Sequence, residues 1–394
     1  MTAALQLAPT LDDVHLRAQE IAVRWAAQRA ERQRRTSLDP KDFAELEGAG
    51  VHLTAVPVEV GGLWSGVRKS TRPISDIFRA LAKGDPSVAL VTVMHPAVLQ
   101  PVLAIREARE PYSASWNAER KWIFETILGG AWWGTIGSEP GKRSDREPVA
   151  ATVRLDPDGR YRLSGRKHFA TGSGIASYMV TSAVAEGETA AESYYLDMRG
   201  VPTDGSAGIR LVAPWDGHGM AATQSHAFEF EDFPVIRSAL PSAIRGPESP
   251  FFLCAYIAVV LGVVESAIEA ARDELERRGD DLHAYEQVEW TNAGLDAWLM
   301  AQAFEGMLRS IETRSSSMGA EMMRGKVACG QLAESALTRI CRVVGARSFS
   351  RSSPFGNWFE DVRALGFLRP GWRTAFDDLI GFERGAAERR TRRL

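Results

Sequence analysis

The first third of the chain carries apolar residues at the spacing of α-helices. Between residues 11 and 25 they recur every three or four positions, and Thr10 and Asp13 stand where a capping box would begin the helix. The pair Asp39-Pro40 predicts a second helix start, because Asp can cap the first turn and Pro fits within it. Further helices are predicted over residues 74–82, 86–95 and 117–128.

The middle of the chain changes to the two-residue period of β-strands. Val153 and Leu155 alternate with polar neighbours, the turn sequence DPDG follows, and the alternation resumes at Tyr161, which predicts a hairpin. Several short strands with Gly and Pro between them favour a small β-sandwich or barrel. The later strands are predicted over residues 178–185, 193–198, 209–213 and 227–233.

The last third returns to helical patterning. Its apolar run from residue 251 to 264 covers about 14 residues, fewer than the roughly 20 that a membrane-spanning helix needs, so we expect a helix buried in protein. The helices are predicted over residues 251–278, 282–314, 328–344 and 372–389. We therefore expect an α+β multidomain chain with an N-terminal helical domain (1–129), a middle β-sandwich or barrel domain (130–240) and a C-terminal helical bundle (241–394).

Composition narrows the class of protein without naming a function. A chain of 394 residues exceeds one ordinary core, and a formal charge of −3 with 25% charged residues indicates a globular protein without a nucleic-acid partner. Cys254, Cys329 and Cys341 lack the spacing of metal ligands, so buried thiols in a reducing compartment are expected. The first residues do not show the basic segment and long apolar core of a signal peptide. We therefore expect a cytoplasmic protein without a membrane partner and without a metal.

A Gly- and Ser-rich loop, GTIGSEPGKRSD, precedes the hairpin and is the strongest candidate for ligand contact. Its backbone N–H groups and the hydroxyls of Ser138 and Ser144 could closely approach an anionic or planar ligand. The segment FATG, with Phe169 and Thr171, ends the second strand of the hairpin. On these residues alone, an ordinary surface loop beside a β-domain is the favoured interpretation.

Four stretches, in the order of the predicted domains, resemble the acyl-CoA dehydrogenase superfamily. They are VPVEVGG, the SEPG loop with FATG, the strand FEFEDFPV and the late segment RSSPFGNWFEDVR. This resemblance implies a helical domain, a β-domain and a C-terminal four-helix bundle. It also implies that Ser138 and Ser144 hydrogen-bond a flavin, that Phe169 lies beside the isoalloxazine and that Thr171 faces flavin N5. For Phe169 a core aromatic is the alternative.

Both positions where the superfamily carries its catalytic glutamate hold other residues here. Counting eight residues from Asp361 gives Arg369, and the other family position, before Gly262, is Phe252. Arginine donates hydrogen bonds and cannot accept a proton. Asp377 and Asp378 are candidates for a displaced base, with surface carboxylates as the alternative. The resemblance therefore implies a chain that has lost the usual base for α,β-desaturation.

The end of the expected cofactor site that would hold the adenine also departs from the pattern. Arg342 replaces the glutamine expected there, and could pair with a phosphate or lie on a helix surface. The resemblance implies FAD, with FMN as the second choice.

The leading hypothesis is a flavin-dependent oxygenase or oxidase acting on a small or thioester-bound organic molecule. Arg369 would supply a fixed positive charge, and His95 and His218 are candidates for hydrogen bonds at the reacting ring, with packing or loop histidines as the alternative. Two further hypotheses stay open: an acyl-CoA dehydrogenase with a relocated base, and an inactive scaffold subunit that pairs with an active homologue. The resemblance implies a homodimer or homotetramer, and the oxygenase hypothesis adds O2 and a flavin reductase as partners.

Overall fold

A computed structural model describes residues 9–142, 147–245, 249–279 and 282–391, and it has the three regions expected from the sequence. Helices occupy the first region, seven strands the second and further helices the third. In the N-terminal region the capping box is confirmed, since Thr10 N–H donates to Asp13 Oδ2 at 2.9 Å and Asp13 N–H donates to Thr10 Oγ1 at 3.2 Å. The helices here are α1 (Leu11–Ala27), α2 (Arg29–Arg32), α3 (Pro40–Gly48), α4 (Val67–Gly84), α5 (Pro86–Val98), α6 (Gln100–Ala104) and α7 (Ser113–Leu128).

The middle region is a barrel in which five strands close on themselves. Its strands are β1 (Trp133–Thr135), β2 (Thr152–Leu155), β3 (Tyr161–Ala170), β4 (Tyr178–Ala185), β5 (Ala191–Asp197), β6 (Ile209–Ala213) and β7 (His226–Arg237). The cycle of pairings runs β4, β2, β3, β7, β5 and back to β4. β1 adds to β4 in parallel, and β6 adds to β7 in antiparallel orientation. Because these strands close on themselves, the β-domain is a barrel and not a sandwich.

The C-terminal region is a helical bundle built on α8 (Phe251–Arg278). Among the described residues α8 alone is long and apolar enough to cross a membrane, but 78% of its most apolar stretch is buried inside the protein, as expected from the sequence. Cys254 on α8 and Cys329 are also buried, as expected. The other helices are α9 (Ala284–Thr313), α10 (Met318–Val344), α11 (Phe355–Phe367) and α12 (Trp372–Thr391).

Two features of this bundle differ from the sequence expectation. α10 begins at Met318 instead of 328, because Gly325, which weakens the helical pattern, is needed for close packing: a Cβ there would lie 2.2 Å from Met307 Sδ. The sequence analysis did not predict α11, most of which lies in the motif RSSPFGNWFEDVR. α11 brings Trp358, Val362 and other apolar residues into the bundle core and so makes a fifth helix.

The barrel is joined to the helices on both sides. On the N-terminal side, Trp133 of β1 donates its backbone N–H to His95 Nδ1 of α5 at 2.9 Å. On the C-terminal side, Met220, in the loop between β6 and β7, donates its backbone N–H to Asp361 Oδ1 of α11 at 2.6 Å. These contacts hold β1 against α5 and the β6–β7 loop against α11.

Candidate functional site

The loop that carries Ser138 runs along the end of β3. His168 donates its backbone N–H to the carbonyl oxygen of Ser138 at 2.8 Å, so the loop is held as an added bridge beside this strand. The Ser138 side chain is half-buried. Ser144 lies outside the described residues. The part of the loop that the structure describes therefore stands next to Phe169 and Thr171, as the sequence predicted.

Arg369 reaches this loop from the C-terminal region. Its Nη2 donates to Ser138 Oγ at 3.1 Å across a sequence separation of 231 residues. Its guanidinium also lies over Gly137, where a Cβ would stand 3.4 Å from Nη1. Two residues selected independently from the sequence are thus brought into direct contact, and the group over the loop is a permanent donor.

Behind Ser138, a buried ion pair fixes the loop to the barrel. Lys167 of β3 is fully buried, and its Nζ donates to Glu139 Oε1 at 2.6 Å and to the carbonyl oxygen of Ser182 at 2.6 Å. Glu139 also accepts the backbone N–H groups of Ala150 and Ala151, at 2.8 and 3.0 Å. Lys142 adds a second cation, 2.8 Å from Oε2. The carboxylate therefore ties both ends of the loop to one strand.

The surroundings of this pair act on both of its charges. Burial alone would raise the pKa of Glu139, but the Ala150 N–H, Lys142, Lys167 and the Ala151 N–H together lower it to about 2. The pKa of Lys167 is lowered from its ordinary value, mainly by burial. Glu139 raises this pKa, whereas the nearby cations Lys142 and Arg369 lower it further. The carboxylate is therefore ionised at neutral pH. Sequence reasoning missed this pair, although a lysine on the inward-facing register of a strand, in phase with Leu163, was a visible signal.

Phe169 stands at the end of β3 with its ring in the open. Its side chain is 53% exposed, and its backbone has a φ of +57°, which is uncommon for a non-glycine residue and turns the chain out of the strand. Its ring centroid lies 6.0 Å from that of Trp215 at an interplanar angle of 73°. This exposure contradicts the core-aromatic alternative and leaves an aromatic surface available to a ligand.

Thr171 begins a short series of buried hydroxyl groups. Its Oγ1 lies 3.0 Å from Ser225 Oγ, which lies 2.8 Å from Thr223 Oγ1. Thr223 Oγ1 in turn donates to the carbonyl oxygen of Met220 at 2.9 Å. Thr171 is 8% exposed, so the outer end of the series is close to the surface that carries Phe169.

These side chains fit a flat ring with polar edges. Phe169 and Trp215 supply aromatic surface, whereas Ser138, Thr171 and Arg369 supply hydroxyl and guanidinium groups around it. Gly137 has no side chain between the loop and the guanidinium. Flavins need this combination, because the protein orients the ring and tunes its edges by hydrogen bonds.

Comparison with known proteins agrees with this geometry. Residues 134–233 match the family model of the acyl-CoA dehydrogenase middle domain. The amino sugar nitrososynthase RubN8 of Streptomyces rubradiris is 28% identical over 390 residues, covering 92% of this chain and 85% of that protein. A dibenzothiophene monooxygenase of Rhodococcus qingshengii is 23% identical over 273 residues, covering 65% of this chain and 60% of that enzyme.

A solved structure covers nearly the whole chain. KijD3, in complex with FMN and dTDP-3-amino-2,3,6-trideoxy-4-keto-3-methyl-D-glucose, covers 97% of this chain and 95% of its own, with a TM-score of 0.80 at 20% identity. Residues 134–233 thus match an acyl-CoA dehydrogenase middle domain, and the chain as a whole is similar to acyl-CoA dehydrogenase-like flavoenzymes. The matched middle domain contains Ser138, Phe169 and Thr171, for which the resemblance implied flavin contacts.

His95 lies in the interior of the protein, where α5 packs against β1. It is fully buried, its Nε2–H donates to the carbonyl oxygen of His52 at 3.0 Å, and its Nδ1 accepts the Trp133 N–H. Burial, with a smaller contribution from His52, lowers the pKa of His95 to about 3, so the ring is neutral. Both ring nitrogens are engaged within the protein, and the structure thus contradicts the proposed catalytic role.

His218 is exposed at a small pocket between the N-terminal helices and α11. The pocket is lined by His218 together with Arg32, Asp85, Asp361 and other residues of α2, α5 and α11. Arg32 is itself held by ion pairs to Asp42 and Asp85. The described residues around this pocket do not include the Ser138 loop or Arg369, so the structure does not join His218 to that group.

The remaining candidates lie on helix surfaces. Arg342 of α10 pairs with Glu289 of α9 at 3.1 Å, in agreement with the surface alternative within this chain. Asp377 of α12 is exposed and Asp378 is half-buried. Phe252 of α8 is half-buried and packs against Tyr256. The contacts described for Arg342 and Phe252 thus lie within the helical bundle.

Asp361 is a buried carboxyl for which the sequence analysis predicted no role of its own. It is 8% exposed and accepts the Met220 N–H. Burial, the largest effect, together with the nearby carboxylates Asp85 and Glu360, raises its pKa to about 7 in spite of that hydrogen bond. α11 therefore holds the barrel loop through a carboxyl group that is half-protonated near neutral pH.

Removal of the buried lysine should strongly destabilise the protein. We expect Lys167→Met to lower the free energy of unfolding by about 3–5 kcal/mol, because Glu139 would lose its buried countercharge. The matched control is Arg166→Met, one residue away, where the exposed ion pair with Glu229 should contribute less than about 1 kcal/mol. Denaturant unfolding measures both variants, and equal losses would contradict the role given to the Lys167 pair.

Asp361 should give the protein a pH-dependent stability. Because its pKa lies near 7 in the folded chain and near 3.8 when unfolded, the unfolded state releases a proton that the folded state keeps, and stability falls as pH rises from about 4 to 7. Asp361→Asn keeps an acceptor for Met220 but carries no charge. We expect its melting temperature relative to the wild type to rise between pH 5 and pH 8, whereas the exposed control Asp377→Asn shows no trend. A constant difference for Asp361→Asn would exclude this titration.

Proposed function

We propose that this protein is a flavin-dependent oxygenase or oxidase acting on a small or thioester-bound organic molecule. The observation that carries the proposal is the contact of the Arg369 guanidinium with Ser138, 3.1 Å apart, at the position that the superfamily gives to its catalytic base. Desaturation of an acyl thioester needs a proton acceptor on the side of the substrate opposite the flavin. A guanidinium cannot take that role.

The residues of the site have separate tasks in this proposal. Phe169 and Trp215 together offer the ring an aromatic surface, Ser138 and Thr171 hydrogen-bond its edges, and the Glu139–Lys167 pair holds the loop in place. Arg369 gives a fixed positive charge that stabilises a carbonyl, carboxylate or developing anion of the substrate. The flavin, when bound, supplies the electrons for reaction with oxygen.

Most names among the relatives support oxygenation over desaturation, and one, a putative acyl-CoA dehydrogenase, supports the dehydrogenase alternative. They include an amino sugar nitrososynthase and a dibenzothiophene monooxygenase, and substrates with an oxidisable nitrogen or sulfur atom are therefore included in the proposal. We propose FAD as the cofactor, on the resemblance, with FMN as the alternative. The FMN complex of KijD3 supports that alternative. Release of the flavin by denaturation and chromatography distinguishes the two.

We further propose a homodimer or homotetramer that works in the cytoplasm with a separate flavin reductase. Self-association is supported by a row of exposed apolar side chains on α9, whose spacing places them along one side of the helix. These side chains are Tyr285, Val288, Leu295, Trp298 and Leu299, each between 44% and 59% exposed. The reductase and O2 follow from the oxygenase chemistry, which needs a source of reduced flavin.

The reaction class is tested by comparing two routes of flavin reduction. With flavin bound and oxygen excluded, we expect saturated acyl-CoA substrates to leave the flavin spectrum unchanged, because no base takes their α-proton. With added reductase and ¹⁸O₂, we expect ¹⁸O in the products from amino sugar nucleotides or thioethers, and at least about tenfold less product with Arg369→Ala. Arg373→Ala, an exposed arginine on α12, is the matched control.

Two outcomes would contradict this proposal. Anaerobic bleaching of the flavin by an acyl-CoA without reductase would favour a dehydrogenase with its base elsewhere. A purified protein that binds neither FAD nor FMN would favour the scaffold subunit.

A further inference from the structure

Three hydroxyl groups, of which Thr171 is the outermost, form a hydrogen-bonded series with a defined end. Thr171, Ser225 and Thr223 are 8%, 8% and 1% exposed, so water does not serve as their general partner. The contacts run from Thr171 to Ser225 at 3.0 Å, from Ser225 to Thr223 at 2.8 Å, and from Thr223 to the carbonyl oxygen of Met220 at 2.9 Å. Three contacts therefore share three hydroxyl protons.

The Met220 carbonyl fixes the direction of all three hydrogen bonds. A carbonyl oxygen only accepts, so the proton of Thr223 must point to Met220. The proton between Ser225 and Thr223 then comes from Ser225, and the proton between Thr171 and Ser225 comes from Thr171. The opposite order would leave Thr223 Oγ1 and the carbonyl oxygen 2.9 Å apart with no proton between them, an arrangement of two lone pairs that is repulsive.

The Met220 carbonyl, at the inner end of the series, is held in place by several contacts. Met220 has a φ of +49°, and its N–H is held by the buried Asp361 carboxyl at 2.6 Å. Its carbonyl oxygen also accepts from Trp215 Nε1 at 3.0 Å. The acceptor that sets the direction is therefore held by α11 on one side and by the indole of Trp215 on the other.

Thr171 therefore directs its own proton inward, and only its lone pairs remain for a ligand. We propose that Thr171 acts as a hydrogen-bond acceptor at the ligand surface and that Ser225 and Thr223 impose this polarity as positioning residues. The inference rests on the proposed function for the identity of the ligand. An oxidised flavin has no proton on N5, whereas the two-electron-reduced flavin carries an N5–H. The hydroxyl series thus favours binding of the reduced ring.

The consequence is a cofactor preference rather than a direct part in bond breaking. An enzyme that accepts reduced flavin from a separate reductase benefits when its site binds the reduced ring more tightly than the oxidised ring. The polarity of one buried hydroxyl series provides such a difference, because a donor at N5 finds an acceptor and a second acceptor at N5 does not.

Anaerobic titration of the protein with oxidised FMN and with dithionite-reduced FMN tests this polarity. We expect the wild type to bind reduced FMN more tightly. Thr223→Val and Ser225→Ala each free the Thr171 proton to point outward, so the ratio of the two dissociation constants should fall by about threefold to tenfold. The reduction potential of the bound flavin should become more negative in the same variants.

Ser173→Ala is the matched control for loss of a hydroxyl in the same region. Ser173 Oγ donates to the carbonyl oxygen of Gln224 at 2.7 Å and is outside the series. We expect it to change both affinities alike and to leave their ratio unchanged. Melting temperatures verify that the Thr223→Val and Ser225→Ala variants are folded, and since each series variant is made singly, a folding defect in one leaves the other as the test.

The possible failures are distinguishable. If the wild type binds both forms of FMN and the ratio stays the same in Thr223→Val and Ser225→Ala, the polarity is wrong and the proposed function stands. If the ratio rises in these variants, Thr171 donates outward in the native protein, which also overturns the inference. If the wild type binds neither form of FMN nor of FAD, the proposed function fails and the inference fails with it.

Discussion

The buried ion pair of Glu139 and Lys167 is the interaction on which the site depends. A buried ion pair is stable only when each charged group also has further hydrogen-bond partners. Here Glu139 accepts from the Ala150 and Ala151 N–H groups and pairs with Lys142, and Lys167 donates to the Ser182 carbonyl oxygen. These contacts leave the loop few alternative positions. Ser138, one residue before the carboxylate, is therefore presented at the surface in a fixed place for Arg369 and for a ligand.

The site assembles where three parts of the chain meet. The barrel supplies the loop and the end of β3, the segment after α11 supplies Arg369, and α11 itself secures the Met220 loop through Asp361. The fold is thus that of a superfamily whose members act on substrates beside a flavin, while the charge placed over this loop is positive instead of negative. By the resemblance, Arg369 stands where relatives carry their proton acceptor, and the proposed function gives this fixed positive charge an anion-stabilising role instead.

The sequence predicted the parts of the site that depend on local pattern and family motif. Helical and two-residue periods located most elements, and α8, β4 and β6 have the predicted bounds. The Arg369–Ser138 contact agreed with the motif count, but no periodicity indicates which side chains meet across 231 residues. His95 takes the packing role that the sequence left open as its alternative, since burial cannot be seen from residue type. Lys167 and Ser225 were missed because their partners Glu139 and Thr171 lie far away in the sequence.

A crystal structure of the protein with bound, reduced FMN or FAD tests the central claim most directly. The account predicts a ring against the aromatic surface of Phe169 and Trp215, with Thr171 Oγ1 within about 3.2 Å of N5 and the Arg369 guanidinium facing the space beside the ring. A carboxylate over the face of the ring, in reach of a substrate carbon, would contradict the loss of the proton acceptor. A ring bound elsewhere on the chain would contradict the site itself.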